Sequence, residues 1–310
     1  MSVGLVALDW GSSQLRAWRM DGQGSVLDQR ASDDGASRLA GGTEAFEAAL
    51  RRLAGDWLQP GTPVVACGMV GSAHGWREAP YVACPVGLGE LHRHVVTVRG
   101  RDGLSVHIVP GLKTRDADGL PDVMRGEETQ LAGLLVHAPE MAAQRLTVVM
   151  PGTHSKWVRL HRARVEGFAT RMTGELFGLL REHSVLARLM SPATRFDEAA
   201  FDRGVQQARR AAGADLAHSL FGVRALGLFG ELGGEAAADY LSGLLIGSEV
   251  AGALAGPSAA DAGELILIGE AELCTRYGRA LGAWGRAAIV FGGGLAALGL
   301  HQLMRAAGRA

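Results

Sequence analysis

Apolar residues gather along this chain in short runs that close on glycine and hydroxyl residues, and two of these runs look alike. Residues 5–8 close on Asp9, turn at Gly11-Ser12-Ser13, and lead into an extended run carrying Leu15, Ala17 and Trp18. Residues 146–150 lead in the same way into Pro151-Gly152-Thr153-His154-Ser155-Lys156 and an outgoing run with Trp157. Both read as strand, turn, strand. A third strand is expected after each hairpin, over 25–30 behind Asp21-Gly22 and over 164–170 behind Arg162-Ala163. Two similar three-stranded meanders therefore open two halves of the chain, with no tandem repeat of short period.

Between and after the meanders the period changes. Phe46, Leu50, Leu53 and Trp57 share one helical face behind Thr43, a candidate cap. Residues 63–66 and 106–109 read as strands. The intervening 68–81 stretch has no period and reads as a loop with functional-looking side chains. Gly126 precedes a helix with Leu131, Leu134 and Leu135 inside and Glu127 and Glu128 in its first turn, where the helix dipole favours carboxylates. Thr173 and Gly174 start another helix; 197–212 is amphipathic; 237–254 is rich in small residues, which suits close helix packing. Strands over 264–269 and 287–294 each end in glycine and are followed by helices over 271–281 and 295–307. This alternation predicts a layered α/β fold, with domains at 1–142 and 143–310.

At 310 residues, 47% hydrophobic and 20% charged, the chain is long enough for two medium cores. A formal charge of −1 and the lack of a basic stripe argue against nucleic acid as a partner. The apolar 244–254 stretch is broken by Glu249 and glycines, so no membrane span is expected. No signal peptide is evident. Cys67, Cys84 and Cys274 lack metal-type spacing and read as reduced thiols in a cytoplasmic protein. Neither a P-loop, a G-x-G-x-x-G, an H-E-x-x-H nor a G-x-S-x-G is present.

The chemistry sits at the two turns and at the helix start. Gly11 lets backbone approach a ligand, the Ser12 and Ser13 hydroxyls can face phosphate oxygens, and Asp9 is a hard oxygen ligand suited to magnesium. Taken alone, this stretch is equally well read as a hairpin with an Asx turn. A functional Glu127 or Glu128 requires one carboxylate to accept a proton from a hydroxyl nucleophile; the plainer reading is helix-start stabilisation. His154 sits in the second turn, and Lys156 is one of only two lysines.

Asp9-Trp-Gly-Ser-Ser13, Gly68-Met-Val-Gly-Ser72 with 75–81, Pro121 through Gln130, Pro151 through Trp157, and Met172 through Phe177 together resemble the 2-dehydro-3-deoxygalactonokinase family. That family lies within the actin-like ATPase superfold of sugar kinases, Hsp70 and actin. The resemblance implies two actin-like (ribonuclease H-like) α/β domains with a nucleotide cleft between them, ATP and Mg2+ as cofactors, and a small sugar-acid substrate. Asp9, Gly11, Ser12 and Ser13 would form the first phosphate loop, with Asp9 holding the metal. Gly152, Thr153 and His154 would form the second, with Lys156 neutralising charge. The acid common at the start of that loop is replaced by Pro151. Glu127 or Glu128 would be the base. Ser72, Trp76, Arg77 and Arg125 would meet the sugar acid, the arginines and Lys156 being its candidate cationic anchors. Adenosine would lie at Gly269, or at Gly292-Gly293-Gly294. A homodimer fits this reading. The alternatives are an exopolyphosphatase-like phosphohydrolase, suggested by Gly126-Glu-Glu, and a non-catalytic nucleotide-dependent binding module.

Overall fold

The computed structural model describes residues 4–39, 42–211, 215–255 and 263–309. They fall into two compact units: Met1–Gln144 with Leu160–Phe168 and Gly293–Ala310, and Arg145–Arg159 with Ala169–Gly292. In chain order the elements run β1 (Leu5–Trp10), β2 (Leu15–Met20), β3 (Val26–Ser32), α1 (Thr43–Ala54), β4 (Val64–Gly68), β5 (Tyr81–Ala83), β6 (Val86–Gly87), β7 (Val96–Arg99) and β8 (Ser105–Ile108). Next come β9 (Gly111–Arg115), β10 (Pro121–Met124), α2 (Glu127–His137), β11 (Arg145–Met150), β12 (Ser155–His161), β13 (Arg164–Arg171) and α3 (Thr173–His183). The remainder is α4 (Glu198–Arg210), α5 (Leu216–Leu228), α6 (Gly234–Ala255), β14 (Glu264–Ile268), α7 (Ala271–Ala283), β15 (Ile289–Phe291) and α8 (Leu295–Ala306).

The first sheet has the order β3-β2-β1-β4-β8-β7. β1 pairs antiparallel with β2 and parallel with β4, and β4 pairs parallel with β8. β1 sits in the middle and is buried along almost its whole length, as a strand covered on both faces must be. Val6, Leu8 and Trp10 pack with Phe46, Ala49 and Leu50 of α1, while α8 lies against β1. Each large apolar side chain removed from water here contributes about 1.5–3 kcal/mol. Thr43 is the first residue of α1 and makes no side-chain cap; Gly42, at φ 67°, takes the cap position. A small sheet, β10-β9-β5, carries part of the glycine-rich region.

The second meander repeats the plan, in a sheet ordered β15-β14-β11-β12-β13-β6. β14 is parallel to both β11 and β15, so β13-β12-β11-β14-β15 has the order of β3-β2-β1-β4-β8. This duplicated meander with two parallel strands added is the ribonuclease H-like arrangement expected above. The β12–β13 turn places Arg162 and Ala163 at φ 50° and 56°, the left-handed pair that a two-residue hairpin needs.

Helix packing relies on small residues in both units. A Cβ at Gly133 of α2 would lie 1.9 Å from the Leu295 carbonyl oxygen of α8, and one at Gly299 1.9 Å from that of Thr129. In the second unit, Gly204 of α4 and Gly243 of α6 stand in the same relation to Tyr240 and Phe201, at 2.1 and 2.0 Å. Ala212, the expected end of α4, lies outside the described residues.

Candidate active site

In the first unit the ends of β1 and β4 and the start of α2 converge. Asp9 lies directly across the hairpin from Arg16, whose Nη2 donates to Asp9 Oδ2 at 2.6 Å. The turn beyond it is tied down from behind. Gly11 N–H donates to the Gln14 carbonyl, and the N–H groups of Ala36 and Ser37 donate to the carbonyls of Gly11 and Ser12. Ser12 and Ser13 themselves are exposed. Gly68, at φ 90°, passes so close that a Cβ there would lie 2.7 Å from the Trp10 carbonyl oxygen, and Gly126 at φ 112° packs on Gly68. Only glycine satisfies both the backbone angle and the approach.

Glu128 is completely buried at this junction. Both its oxygens accept from Gly126 N–H, at 2.9 and 2.7 Å. Burial, reinforced by the charge of Glu127, pushes its pKa up to about 8. Glu127 is half-buried, and its Oε2 accepts from Arg125 N–H at 3.0 Å. Thr129 Oγ1 donates to Cys67 Sγ at 3.3 Å, and Cys67 Sγ lies 3.9 Å from Asp9 Oδ1. Burial holds the Asp9 carboxyl above its ordinary range even though Arg16 pulls it down. The Cys67 thiol is pushed well up by burial and then by the charges of Asp9 and Glu128, so it stays protonated. One buried junction thus joins two carboxylates with raised pKa values to a neutral thiol.

The residues expected to meet a sugar acid divide into two kinds. Trp76 is buried, stacked on Phe46 (centroids 6.0 Å, interplanar 17°) and edge-on to Trp10, so it anchors the loop to the core. Arg125 lies over the Tyr81 ring at 4.1 Å and donates to the Ala79 carbonyl at 2.8 Å. Its Nη1 is closed off from solvent beside Gly71, so it braces the same loop. Ser72 is half-buried and Arg77 exposed.

In the second unit, α3 is clasped under the turn that follows β11. A Cβ at Gly174 would lie 2.4 Å from the Gly152 carbonyl oxygen, and Glu175 N–H donates to the Thr153 carbonyl at 2.9 Å. The His154 ring meets the Glu175 carboxylate. The buried Lys156 ammonium donates to the His154 carbonyl at 3.2 Å. Gly269 packs on Pro151, its Cβ position 3.6 Å from the proline ring. A cavity of about 1120 Å³ opens here, lined by Gly152, Thr153, Phe177, Ser242, Glu270 and Tyr277 among others. The residues that follow Gly269 line it, whereas Gly292, Gly293 and Gly294 do not.

Sequence reasoning passed over three residues of these two sites. Arg16 and Cys67 are recognisable only once strand register is known. Glu249 is buried in α6 and accepts hydrogen bonds from Ser155, Trp157, Thr173 and Tyr277. Its signal was the single acid of the apolar 244–254 stretch, which must be buried with partners. No cluster of three or more His, Cys, Asp or Glu side chains suited to a metal occurs among the described residues; Asp9, a hard oxygen donor at the end of β1, is the carboxylate that would meet a magnesium ion. A single hard carboxylate leaves the other positions to water and phosphate oxygens, which is how magnesium is usually held.

A duplicated ribonuclease H-like α/β fold with an acidic first strand end, two hydroxyl turns and a helix-start acid pair defines an actin-like protein. The model of the 2-keto-3-deoxy-galactonokinase family matches residues 9–303. A protein of Rhizobium meliloti named "probable 2-dehydro-3-deoxygalactonokinase" is 42% identical over 285 residues, covering 90% of this chain and 89% of its own length. The 2-dehydro-3-deoxygalactonokinase of Escherichia coli is 38% identical, covering 92% and 91%. A crystal structure assigned to a 2-dehydro-3-deoxygalactonokinase from Sinorhizobium meliloti superposes with a TM-score of 0.84 at 38% identity, covering 98% of this chain and 99% of that one. The chain therefore belongs to the 2-keto-3-deoxy-galactonokinase family. No helix among its described residues is long and apolar enough to cross a membrane.

Proposed function

We propose that this protein is an ATP-dependent kinase that phosphorylates the 6-hydroxyl of 2-dehydro-3-deoxy-D-galactonate. The products are 2-dehydro-3-deoxy-6-phospho-D-galactonate and ADP. The family match over residues 9–303 carries the reading. The arrangement of carboxylates in the first unit supports it.

In the reaction O6 bonds to the γ-phosphorus, the bond from that phosphorus to the β,γ-bridging oxygen breaks, and the O6 proton leaves to a carboxylate. Such a transfer depends mainly on positioning and on neutralising charge. Glu127 is the proton acceptor, because it is half-buried while both Glu128 oxygens are sealed against Gly126 N–H. Glu128 fixes the start of α2, and so the place of its neighbour. Ser12 and Ser13 are exposed for phosphate contact. The cavity beside Gly152 and Thr153 takes the nucleotide, with adenosine toward the Gly269 side. Asp9 would hold a magnesium ion, which when bound would supply charge neutralisation on the phosphate oxygens. Arg77, exposed on the loop that Trp76 and Arg125 brace, is the anchor for the substrate carboxylate. The reading includes a cytoplasmic setting, which the three free cysteines support.

The test measures ADP release from magnesium and ATP with 2-keto-3-deoxygalactonate, with its gluconate epimer, and with no acceptor. Turnover that requires the galactonate-derived acid is expected. ADP release indifferent to acceptor would replace the kinase by an exopolyphosphatase-like phosphohydrolase.

A further inference from the structure

Glu249 is 5% exposed, in the middle of α6. Its Oε1 accepts from Ser155 Oγ at 2.7 Å and from Trp157 Nε1 at 2.6 Å. Its Oε2 accepts from the Thr173 hydroxyl and from the Tyr277 hydroxyl, the latter at 2.9 Å. The four donors come from three further elements: the start of β12, the start of α3, and α7. Burial and the Glu249 charge push the Tyr277 hydroxyl far above its ordinary range, which keeps it a donor.

Two of these donors, Thr173 and Tyr277, also line the cavity, as do Gly152 and Thr153 just ahead of Ser155. The same helix contributes Ala238, Ser242 and Ile246 to its wall. Glu249 itself is not a lining residue. One buried charge with a full set of donors thus fixes the spacing of the phosphate-side turn, the α3 start and the α7 wall.

We infer that Glu249 is a positioning residue for the nucleotide, acting through Ser155, Thr173 and Tyr277. The inference rests on the reading that this cavity takes the nucleotide. A carboxylate meets the requirement because it accepts at all its lone pairs, whereas an amide of equal size turns a donor toward two hydroxyls. Charge-assisted hydrogen bonds are also the stronger ones.

The experiment compares full-length Glu249→Ala and Glu249→Gln with wild type for KM of ATP, KM of the sugar acid, and Tm. Glu249→Ala is expected to raise KM for ATP about 10-fold, the loss of one to two such bonds, with KM for the sugar changed less than about 2-fold. Glu249→Gln should show the same split at about 3-fold, and carries the test if the alanine variant does not fold. Leu241→Ala removes a fully buried side chain of the second unit outside the cavity lining and serves as a control for lost stability. If it raises KM for ATP as much at an equal drop in Tm, the role is only structural and the inference falls. Ala238→Trp fills the cavity directly. If it raises KM for ATP while the Glu249 variants do not, the cavity reading stands and the inference is overturned. If Ala238→Trp leaves KM for ATP unchanged, the cavity reading fails and the inference goes with it.

Discussion

Glu128 in the first unit and Glu249 in the second are both helical and buried, at 0% and 5% exposure. Their surroundings differ in kind. Glu249 accepts from two hydroxyls, an indole and a phenol brought in by three other elements. Glu128 accepts from backbone N–H groups only, that of Gly126 shared between its oxygens, and has the charge of Glu127 beside it. Burial alone therefore does not decide what a carboxylate does. A full set of donors makes the charge a structural joint; too few leaves the site short of positive partners, which raises the pKa and favours a proton or a cation nearby. On the proposed reading the first unit, where burial also raises the pKa of the Asp9 carboxyl, is the chemical half, and the second holds the cavity for the nucleotide.

The sharpest way to break that division is at Glu127. Glu127→Gln should lower kcat by about 10³-fold, the range for loss of a positioned base, with Tm nearly unchanged. Glu249→Gln should change kcat by no more than a few fold. Steady-state kinetics on the two variants decides the matter: equal losses in kcat would erase the distinction between the units.

Glu128 provides the next test through pH. Its folded pKa of about 8 lies above the ordinary 4.5, so the folded state keeps a proton that the unfolded chain releases. The associated stability is fully present below about pH 4.5 and is lost as pH rises through 8. Glu128→Gln, neutral throughout, should be more stable than wild type at pH 9 by about 3–5 kcal/mol, and the gap should shrink to within about 1 kcal/mol near pH 4.5. Urea unfolding at several pH values without magnesium measures it. Parallel curves for the two proteins would show that Glu128 carries no such burden.

A smaller effect separates the units by their helix crossings. Gly133→Ala and Gly204→Ala each force a methyl group against a carbonyl oxygen of a neighbouring helix, at 1.9 and 2.1 Å before adjustment. Each should cost about 2 kcal/mol of stability. Only Gly133→Ala, which displaces the helix that begins with Glu127, should also reduce kcat at temperatures where the protein remains folded. Equal kcat in both variants would mean that α2 can shift without disturbing its first turn.

Much of this architecture was legible in the pattern of residues. The two meanders, the helix start at Glu127 and the small-residue helix that became α6 all announce themselves locally, through period, turn chemistry and glycine placement. The short strands β5, β6, β9 and β10 did not, because two to five residues are too few to show alternation. α5 was passed over too, its hydrophobic residues spread around the helix rather than along one stripe. β15 could be read only as a strand ending in glycine, and its exposure belongs to its place at a sheet edge. The site followed the same rule. Asp9 and the glutamate pair stand beside signals that the chain displays locally. Arg16 and Cys67 acquire meaning only from register, and Glu249 from donors up to 94 residues away.

Arg16 offers the finest distinction. It is half-exposed, and its guanidinium holds the carboxylate assigned to magnesium. The pair is open to water on the Arg16 side only, Asp9 being largely buried, so the effect of its removal should have a direction. If Arg16 competes with the cation for Asp9, Arg16→Ala will lower the magnesium concentration needed for half-maximal activity by about 3-fold, with KM for ATP unchanged at saturating metal. If the guanidinium instead turns to the phosphates when nucleotide binds, the same variant will raise KM for ATP and leave the magnesium requirement where it was. A magnesium titration at fixed ATP, repeated at fixed magnesium with ATP varied, separates the two. The second outcome would move Arg16 from the structural partner of Asp9 to a member of the phosphate-binding loop, and the first unit would then contribute a cation as well as its acids to the chemistry.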